Sequence, residues 1–70
     1  GGADRLKFYK KIIEQACNYI ENGYLILEIG YDQKEDVENL LKENKNYSEI
    51  KTIQDLSGND RCVIAKVGKI

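Results

Sequence analysis

Histidine is absent from this 70-residue chain, and cysteine occurs only twice. Without histidine, the chain has neither the commonest general base nor any histidine-dependent catalytic triad. Two cysteines without histidine cannot complete a standard four-ligand zinc site, so we expect no metal site. We expect Cys17 and Cys62 to be buried, reduced thiols that pack as small hydrophobic residues, although a disulfide between them stays an open alternative.

Long apolar runs and a strong net charge are also lacking. No apolar stretch approaches the roughly 20 residues of a membrane span, and the N-terminus has no signal-peptide pattern. Eleven Lys and Arg residues against twelve Asp and Glu residues give a net charge of −1. The chain therefore has no net attraction for nucleic acid or for an anionic membrane surface. We expect a cytoplasmic protein with no direct nucleic-acid partner and no membrane partner.

An apolar content of 41% over 70 residues predicts one small domain, residues 1–70. Its N-terminal part has apolar residues at helical spacing, after Asp4 as a candidate N-cap. These residues are Leu6, Tyr9, Ile12, Ile13, Ala16, Cys17 and Ile20. The short run 24–29 is apolar at both alternating sets of positions and ends at Gly30. Such a strand is typical of a sheet that is covered by helices on both faces.

The second half of the chain predicts one helix and a hairpin. Asp32 and Glu35 have the spacing of a capping box, so a helix is expected to begin there. A strand at 48–54 alternates imperfectly, which indicates a bend, a bulge or an edge position, whereas the strand at 61–67 is apolar on both faces and therefore central. The hairpin makes these two strands antiparallel, and the helical crossover makes the first and second strands parallel. We predict an α/β fold with a three-stranded mixed sheet in the order 1-3-2.

This order of elements resembles the closing part of a class I S-adenosylmethionine-dependent methyltransferase, whose last strand inserts antiparallel into a Rossmann-like sheet. Three stretches resemble one family in particular. They are Gly1-Gly2-Ala3-Asp4 with Leu6, Phe8-Tyr9 and Ile12-Ile13-Glu14-Gln15-Ala16; Gly23 with Leu25 and Leu27-Glu28-Ile29-Gly30; and Asp55-Leu56-Ser57-Gly58-Asn59-Asp60-Arg61. The family is the HemK/PrmC-type protein N5-glutamine methyltransferases, and the resemblance covers nearly the whole chain. Gly1 and Gly2 are either a cloning scar or native loop residues, and the resemblance implies that they are native.

The resemblance implies a parent enzyme that uses S-adenosylmethionine to methylate the glutamine of the Gly-Gly-Gln motif in peptide chain release factors. In that family a glycine-rich loop holds the cofactor, and an Asn-Pro-Pro-Tyr motif grips the glutamine. This chain has no proline and no such glycine-rich loop. We therefore expect a C-terminal fragment that has no catalytic residue and no cofactor-binding residue of its own, and that is inactive alone.

Three residues are candidates for the substrate side of the parent site: Glu28, Gly30 and Tyr31. Glu28 is expected near the C-terminal end of its strand, where open α/β sheets bind ligands. Its alternative role is a hydrogen bond to a neighbouring loop or a position at the sheet rim. Gly30 and Tyr31 either line a substrate cleft or simply end the strand and form the next loop. Asp60 and Arg61 either form an exposed ion pair at the hairpin or contact a protein substrate.

Two other functions stay open at this point. The chain could be a small α/β interaction module without enzymatic ancestry, or the C-terminal part of a methyltransferase that acts on a nucleic acid or a small molecule. A further expectation concerns the first strand, which lies at an edge of the predicted sheet and has neither lysine nor proline to protect it. Unprotected apolar edges recruit other strands, so we expect the fragment to self-associate through this edge, or to cover it with its own N-terminal segment.

Overall fold

A computed structural model describes residues 2–68 as two helices and three strands. In chain order these are α1 (Gly2–Tyr19), β1 (Gly23–Glu28), α2 (Lys34–Lys42), β2 (Tyr47–Gln54) and β3 (Asp60–Val67). The predicted succession of helix, strand, helix, strand and strand is confirmed. Gly1, whose origin the sequence leaves open, lies outside the described residues. Asp4 lies in the first turn of α1, not before it.

The strands form a single sheet in the order β1-β3-β2, as predicted. Val63 of β3 lies opposite Leu27 of β1 on one side and opposite Thr52 of β2 on the other. The outer strands β1 and β2 run in the same direction, but β3 separates them. Both hydrogen-bonded pairs are therefore antiparallel, so the sheet is antiparallel and the predicted mixed pairing is wrong. The α/β fold class and the central position of the last strand are confirmed.

The irregularity predicted for the second strand is present. Pairing between β2 and β3 shifts register between Ser48 and Lys51, and again between Ile53 and Gln54. Glu49 lies within the first shift and has a φ of 50°, a left-handed conformation that is uncommon outside glycine. The strand is also at the edge of the sheet. Its imperfect alternation thus reflects both an edge position and a distorted ladder.

The hydrophobic core lies between one face of the sheet and the two helices. α1 contributes Ile13, and α2 contributes Val37 and Leu41. The sheet contributes Leu27, Tyr47, Val63, Ala65 and Val67, and Ile29 just after β1 completes the cluster. Burying each of the larger aliphatic side chains is worth about 1.5–3 kcal/mol relative to exposure. The α1 and α2 patterns read from the sequence therefore face one common core.

The opposite face of the sheet is not covered by the described residues. Tyr24 and Ile26 of β1 project to this face, and each is 59% exposed. A strand that is apolar on both faces is typical of a sheet covered by helices, but the described part of the chain covers only one face of β1. The reason is that α1 and α2 pack into one cluster, so both are used on the same face. Apolar residues on the open face therefore have no covering element here.

Candidate functional site

The residues predicted for the substrate side lie at one end of the sheet. Glu28, the last residue of β1, is opposite Cys62 near the start of β3. Just beyond, the Ile29 amide donates to the Arg61 carbonyl at 2.9 Å. The antiparallel register thus brings the turn after β1 (residues 29–33, here the β1–α2 turn) beside the β2–β3 loop (residues 55–59). The C-terminal end of a strand is the edge at which open α/β sheets bind ligands.

Backbone hydrogen bonds hold Glu28 at the end of β1 and Gly30 in the β1–α2 turn. The Tyr9 hydroxyl of α1 donates to the Glu28 carbonyl at 2.6 Å, and the Gly30 amide donates to Gln33 Oε1 at 2.7 Å. Tyr9 also lies 3.3 Å from the same Gln33 oxygen. The Glu28 side chain is exposed, and Tyr31 is 84% exposed. The structure therefore joins Glu28 and Gly30 in one hydrogen-bonded cluster and leaves Tyr31 in solvent.

Gln33 organises this turn, and the sequence analysis missed it. Its side chain is only 5% exposed. The Gln33 backbone amide donates to the Gly30 carbonyl at 3.1 Å, and the Gln33 side-chain oxygen accepts from the Gly30 backbone amide. This reciprocal pair closes a four-residue turn, and the glutamine that reaches back three residues to a backbone amide makes only one of the two hydrogen bonds of a capping box. The spacing of Gly30 and Gln33 is the signal that could have identified it.

The predicted helix start at Asp32 is wrong. α2 begins at Lys34, its N-cap is Gln33, and no side chain caps it. The physical reason is the turn that the Gly30–Gln33 pair closes, which moves the N-cap by one residue, from Asp32 to Gln33. Glu35 is in the first helical turn, where a carboxylate is favourable beside the helix dipole without any cap. The Asp32 and Glu35 spacing therefore resembles a capping box without forming one.

The space beside Gly30 is already filled by polar side chains. A Cβ at this position would lie 3.2 Å from Gln33 Oε1 and 3.6 Å from both Arg5 Nη1 and Asp32 Oδ1. An added Cβ would force the Gln33 side-chain oxygen to move by a few tenths of an ångström, so this close approach favours glycine.

The β2–β3 loop is organised by the carboxylate of Asp55. Its Oδ1 accepts from the backbone amides of Ser57 at 2.9 Å and Asn59 at 3.0 Å, and its Oδ2 accepts from Arg61 Nε at 2.8 Å. The hydrogen bond from Asn59, followed by those from Arg61 and Ser57, lowers the pKa of the Asp55 carboxyl. Gly58 adopts a φ of +84°, which the turn requires and glycine permits.

The ion pair predicted between Asp60 and Arg61 is wrong, because Arg61 pairs with Asp55. Asp60 Oδ1 instead accepts from the Gln54 side-chain amide at 3.0 Å. Adjacent residues on a strand project to opposite faces, so neighbours in sequence cannot meet as easily as residues across the hairpin. The Asp55–Arg61 pair is exposed on the arginine side and serves loop geometry more than stability.

Neither a metal centre nor a disulfide is present among residues 2–68. No group of three or more His, Cys, Asp or Glu side chains in this range could hold a metal ion. Cys17 and Cys62 are both free thiols, as expected, but they are half-buried instead of fully buried. An open groove of about 580 Å³, lined in part by Cys17, Asn46 and Gly68, lies at the opposite end of the sheet from Glu28. It contains none of the predicted site residues.

Neither helix of the described segment combines the length and apolar character needed to cross a membrane.

Comparison with known proteins finds several release factor glutamine methyltransferases. The chain is 45% identical over 64 residues to that of Fusobacterium nucleatum, which covers 90% of this chain and 18% of the relative. It is 40% identical over 70 residues to the enzyme of Thermodesulfovibrio yellowstonii, a match that covers 99% of this chain and 25% of the relative. It is 42% identical over 67 residues to the enzyme of Clostridium botulinum, a match that covers 94% of this chain and 23% of the relative.

These matches involve nearly all of the chain but only a small part of each relative. The chain spans about a fifth to a quarter of the length of these relatives, and the part it matches is their C-terminal part. No protein-family model and no solved structure matches it. The chain therefore corresponds to the C-terminal part of release factor glutamine methyltransferases.

Proposed function

We propose that residues 1–70 form the C-terminal subdomain of a protein N5-glutamine methyltransferase. The whole enzyme would transfer a methyl group from S-adenosylmethionine to the side-chain amide nitrogen of a glutamine in a peptide chain release factor. The observation that carries this proposal is the identity of 40–45% to such enzymes over 64–70 residues of the chain. A free-standing interaction module without enzymatic ancestry would not share that similarity along its whole length.

The contribution of this subdomain to catalysis is positional. An amide nitrogen is a poor nucleophile, so its methylation depends on orientation and on hydrogen bonds that draw charge onto it. Glu28, Gly30 and Tyr31 are the substrate-side residues in this proposal. Their support is the fixed β1–α2 turn, in which Tyr9 holds the Glu28 carbonyl and Gln33 holds the Gly30 amide. S-adenosylmethionine would be held by residues outside this chain.

Two further parts of the proposal concern partners and location. A release factor is the expected partner of the whole enzyme, and a cytoplasmic location follows from methylating a component of the translation machinery. The isolated fragment would also associate with itself through the outer edge of β1, with which no other described strand pairs. The sequence of that edge, rich in Leu and Ile, supports this part.

The test uses the full-length protein that contains this segment, with purified release factor and labelled S-adenosylmethionine. We expect label on the release factor, a mass increase of one methyl group on one glutamine, and no label when that glutamine is replaced by asparagine. Label transferred instead to RNA or to a small molecule would contradict the proposal. The 70-residue chain alone should transfer nothing and should give no heat of binding with S-adenosylmethionine, whereas micromolar affinity would contradict the absence of a cofactor site.

A further inference from the structure

Two loops of different parts of the chain meet at the site end of the sheet. They are the β1–α2 turn and the β2–β3 loop, which the hydrogen bond between the Ile29 amide and the Arg61 carbonyl brings side by side. Each presents one large apolar side chain to solvent. Tyr31 is 84% exposed, and Leu56 is fully exposed at a relative accessibility of 108%. Neither side chain belongs to the core cluster.

Both loops are fixed by side chains that hydrogen-bond to their backbones. Gln33, itself buried, accepts from the Gly30 amide directly before Tyr31. Asp55 accepts from the amides of Ser57 and Asn59, which enclose the turn that begins at Leu56. A contact residue on such a loop loses little conformational freedom when it binds. The entropic cost of ordering the loop therefore reduces the binding free energy less. Tyr31 and Leu56 are therefore presented on pre-organised loops.

The charge of this end of the molecule restricts the kind of partner. Residues 28–33 and 54–61 contain four acids, Glu28, Asp32, Asp55 and Asp60, and one base, Arg61, which pairs with Asp55. Arg5 of α1 also lies beside Gly30, and the acids still outnumber the bases at this end. An acidic rim repels the phosphates of nucleic acids. It favours a polypeptide whose apolar side chains meet the two anchors and whose basic side chains meet the acids.

We propose that Tyr31 and Leu56 form a contact surface for the polypeptide that carries the methyl-accepting glutamine. This inference rests on the proposed function and adds to it the β2–β3 loop and the chemistry of the bound segment, which combines apolar and basic side chains. Tyrosine, with tryptophan and arginine, is enriched among the anchors of protein interfaces, and Leu56 adds apolar contact area beside Tyr31. The surface recognises the substrate protein beyond its reacting glutamine.

The experiment compares Tyr31→Ala and Leu56→Ala with Tyr19→Ala in the full-length enzyme. Tyr19 is 85% exposed but lies at the C-terminal end of α1, so it is a matched control. The readouts are KM and kcat for intact release factor, the Kd for S-adenosylmethionine and the melting temperature. We expect the two site variants to raise KM about tenfold, with kcat, the cofactor Kd and the melting temperature unchanged. Tyr19→Ala should leave all four unchanged.

The other outcomes separate the inference from the function on which it rests. If the wild-type enzyme methylates release factor and Tyr31→Ala and Leu56→Ala have the wild-type KM, the inference is overturned and the proposed function stands. Variants with a lower melting temperature or weaker cofactor binding would show that these side chains pack against the rest of the enzyme, which also overturns it. A wild-type enzyme that does not methylate release factor would overturn both. As a second measurement, Tyr31→benzoylphenylalanine should photo-crosslink to release factor, and Tyr19→benzoylphenylalanine should not.

Discussion

Tyr47 is the residue whose side chain links the edge of the sheet to the long helix. It is 6% exposed, and its hydroxyl donates to the Ile13 carbonyl of α1 at 2.5 Å. Burial, with a smaller contribution from nearby Cys17, raises the pKa of Tyr47 from 10.0 to about 12. The folded state therefore holds this phenolic proton more tightly than the unfolded chain does. The stability that Tyr47 contributes is complete below pH 10 and is lost as the pH rises through 12.

Replacing this tyrosine by phenylalanine tests that statement. Tyr47→Phe should lower the free energy of unfolding by about 1 kcal/mol near pH 7, because one buried hydrogen bond is removed. The variant should also lose less stability than wild type between pH 10 and pH 12. Urea unfolding at several pH values measures both effects. Tyr19→Phe removes an exposed hydroxyl and should follow the wild-type curve, and a Tyr47→Phe curve that falls as steeply as wild type would contradict the explanation.

At the scale of elements, the junction between β1 and α2 depends on one side chain. Gln33 accepts from the Gly30 amide and lies against Tyr9, which in turn donates to the end of β1. A leucine at position 33 would fill a similar volume without an acceptor. The partly buried Gly30 amide would then lose its partner, and an unsatisfied buried donor costs about 1–3 kcal/mol.

We therefore expect Gln33→Leu to lower the free energy of unfolding by that amount. The Gly30 amide resonance should shift, and its hydrogen exchange should accelerate, because its acceptor is gone. Gln15→Leu is the matched control, since Gln15 is exposed on α1 and surface substitutions usually stay within about 0.5 kcal/mol. Equal effects of the two substitutions on stability would show that the turn does not depend on Gln33.

At the scale of the whole molecule, residues 2–68 cover one face of the sheet and leave the other uncovered, and β1 is at an edge. The uncovered apolar side chains Tyr24 and Ile26 lie on that edge strand. Described residues near the N-terminus form α1, so they add no strand to this edge. An unpaired apolar edge is a template for another chain.

We predict that the isolated chain self-associates through β1 at high concentration. Outward-facing amides of 24–29 should exchange quickly in dilute solution and slowly as the concentration rises, and sedimentation should show larger species. Ile26→Lys places a charge on this edge and should suppress both effects. Fast exchange that is independent of concentration, together with a monomer at millimolar concentration, would contradict the prediction. Slow exchange at high dilution would show that the edge is covered within one molecule.

The elements and their order in the sheet could be predicted from local patterns. The spacing of Leu6, Tyr9 and Ile13 specified α1, and the two-sided apolar run at 61–67 indicated the central strand. Crossover and hairpin rules then left the order 1-3-2 as the simplest arrangement. These predictions succeeded because burial of apolar side chains imposes a periodicity that is already visible along the chain.

The polar contacts were decided only by the tertiary structure. Asp32 had the spacing of a cap, yet Gln33 closes the turn; Arg61 followed Asp60, yet it pairs with Asp55. Several donors and acceptors near each loop could satisfy one another, and the fold selects among them by distance across the turn or hairpin. The sequence by itself thus determined the elements, their order and the enzyme family that they resemble. The tertiary structure decided which side chains fix the loops of the candidate site and which sheet face is covered, because both depend on contacts between residues that lie apart in the sequence.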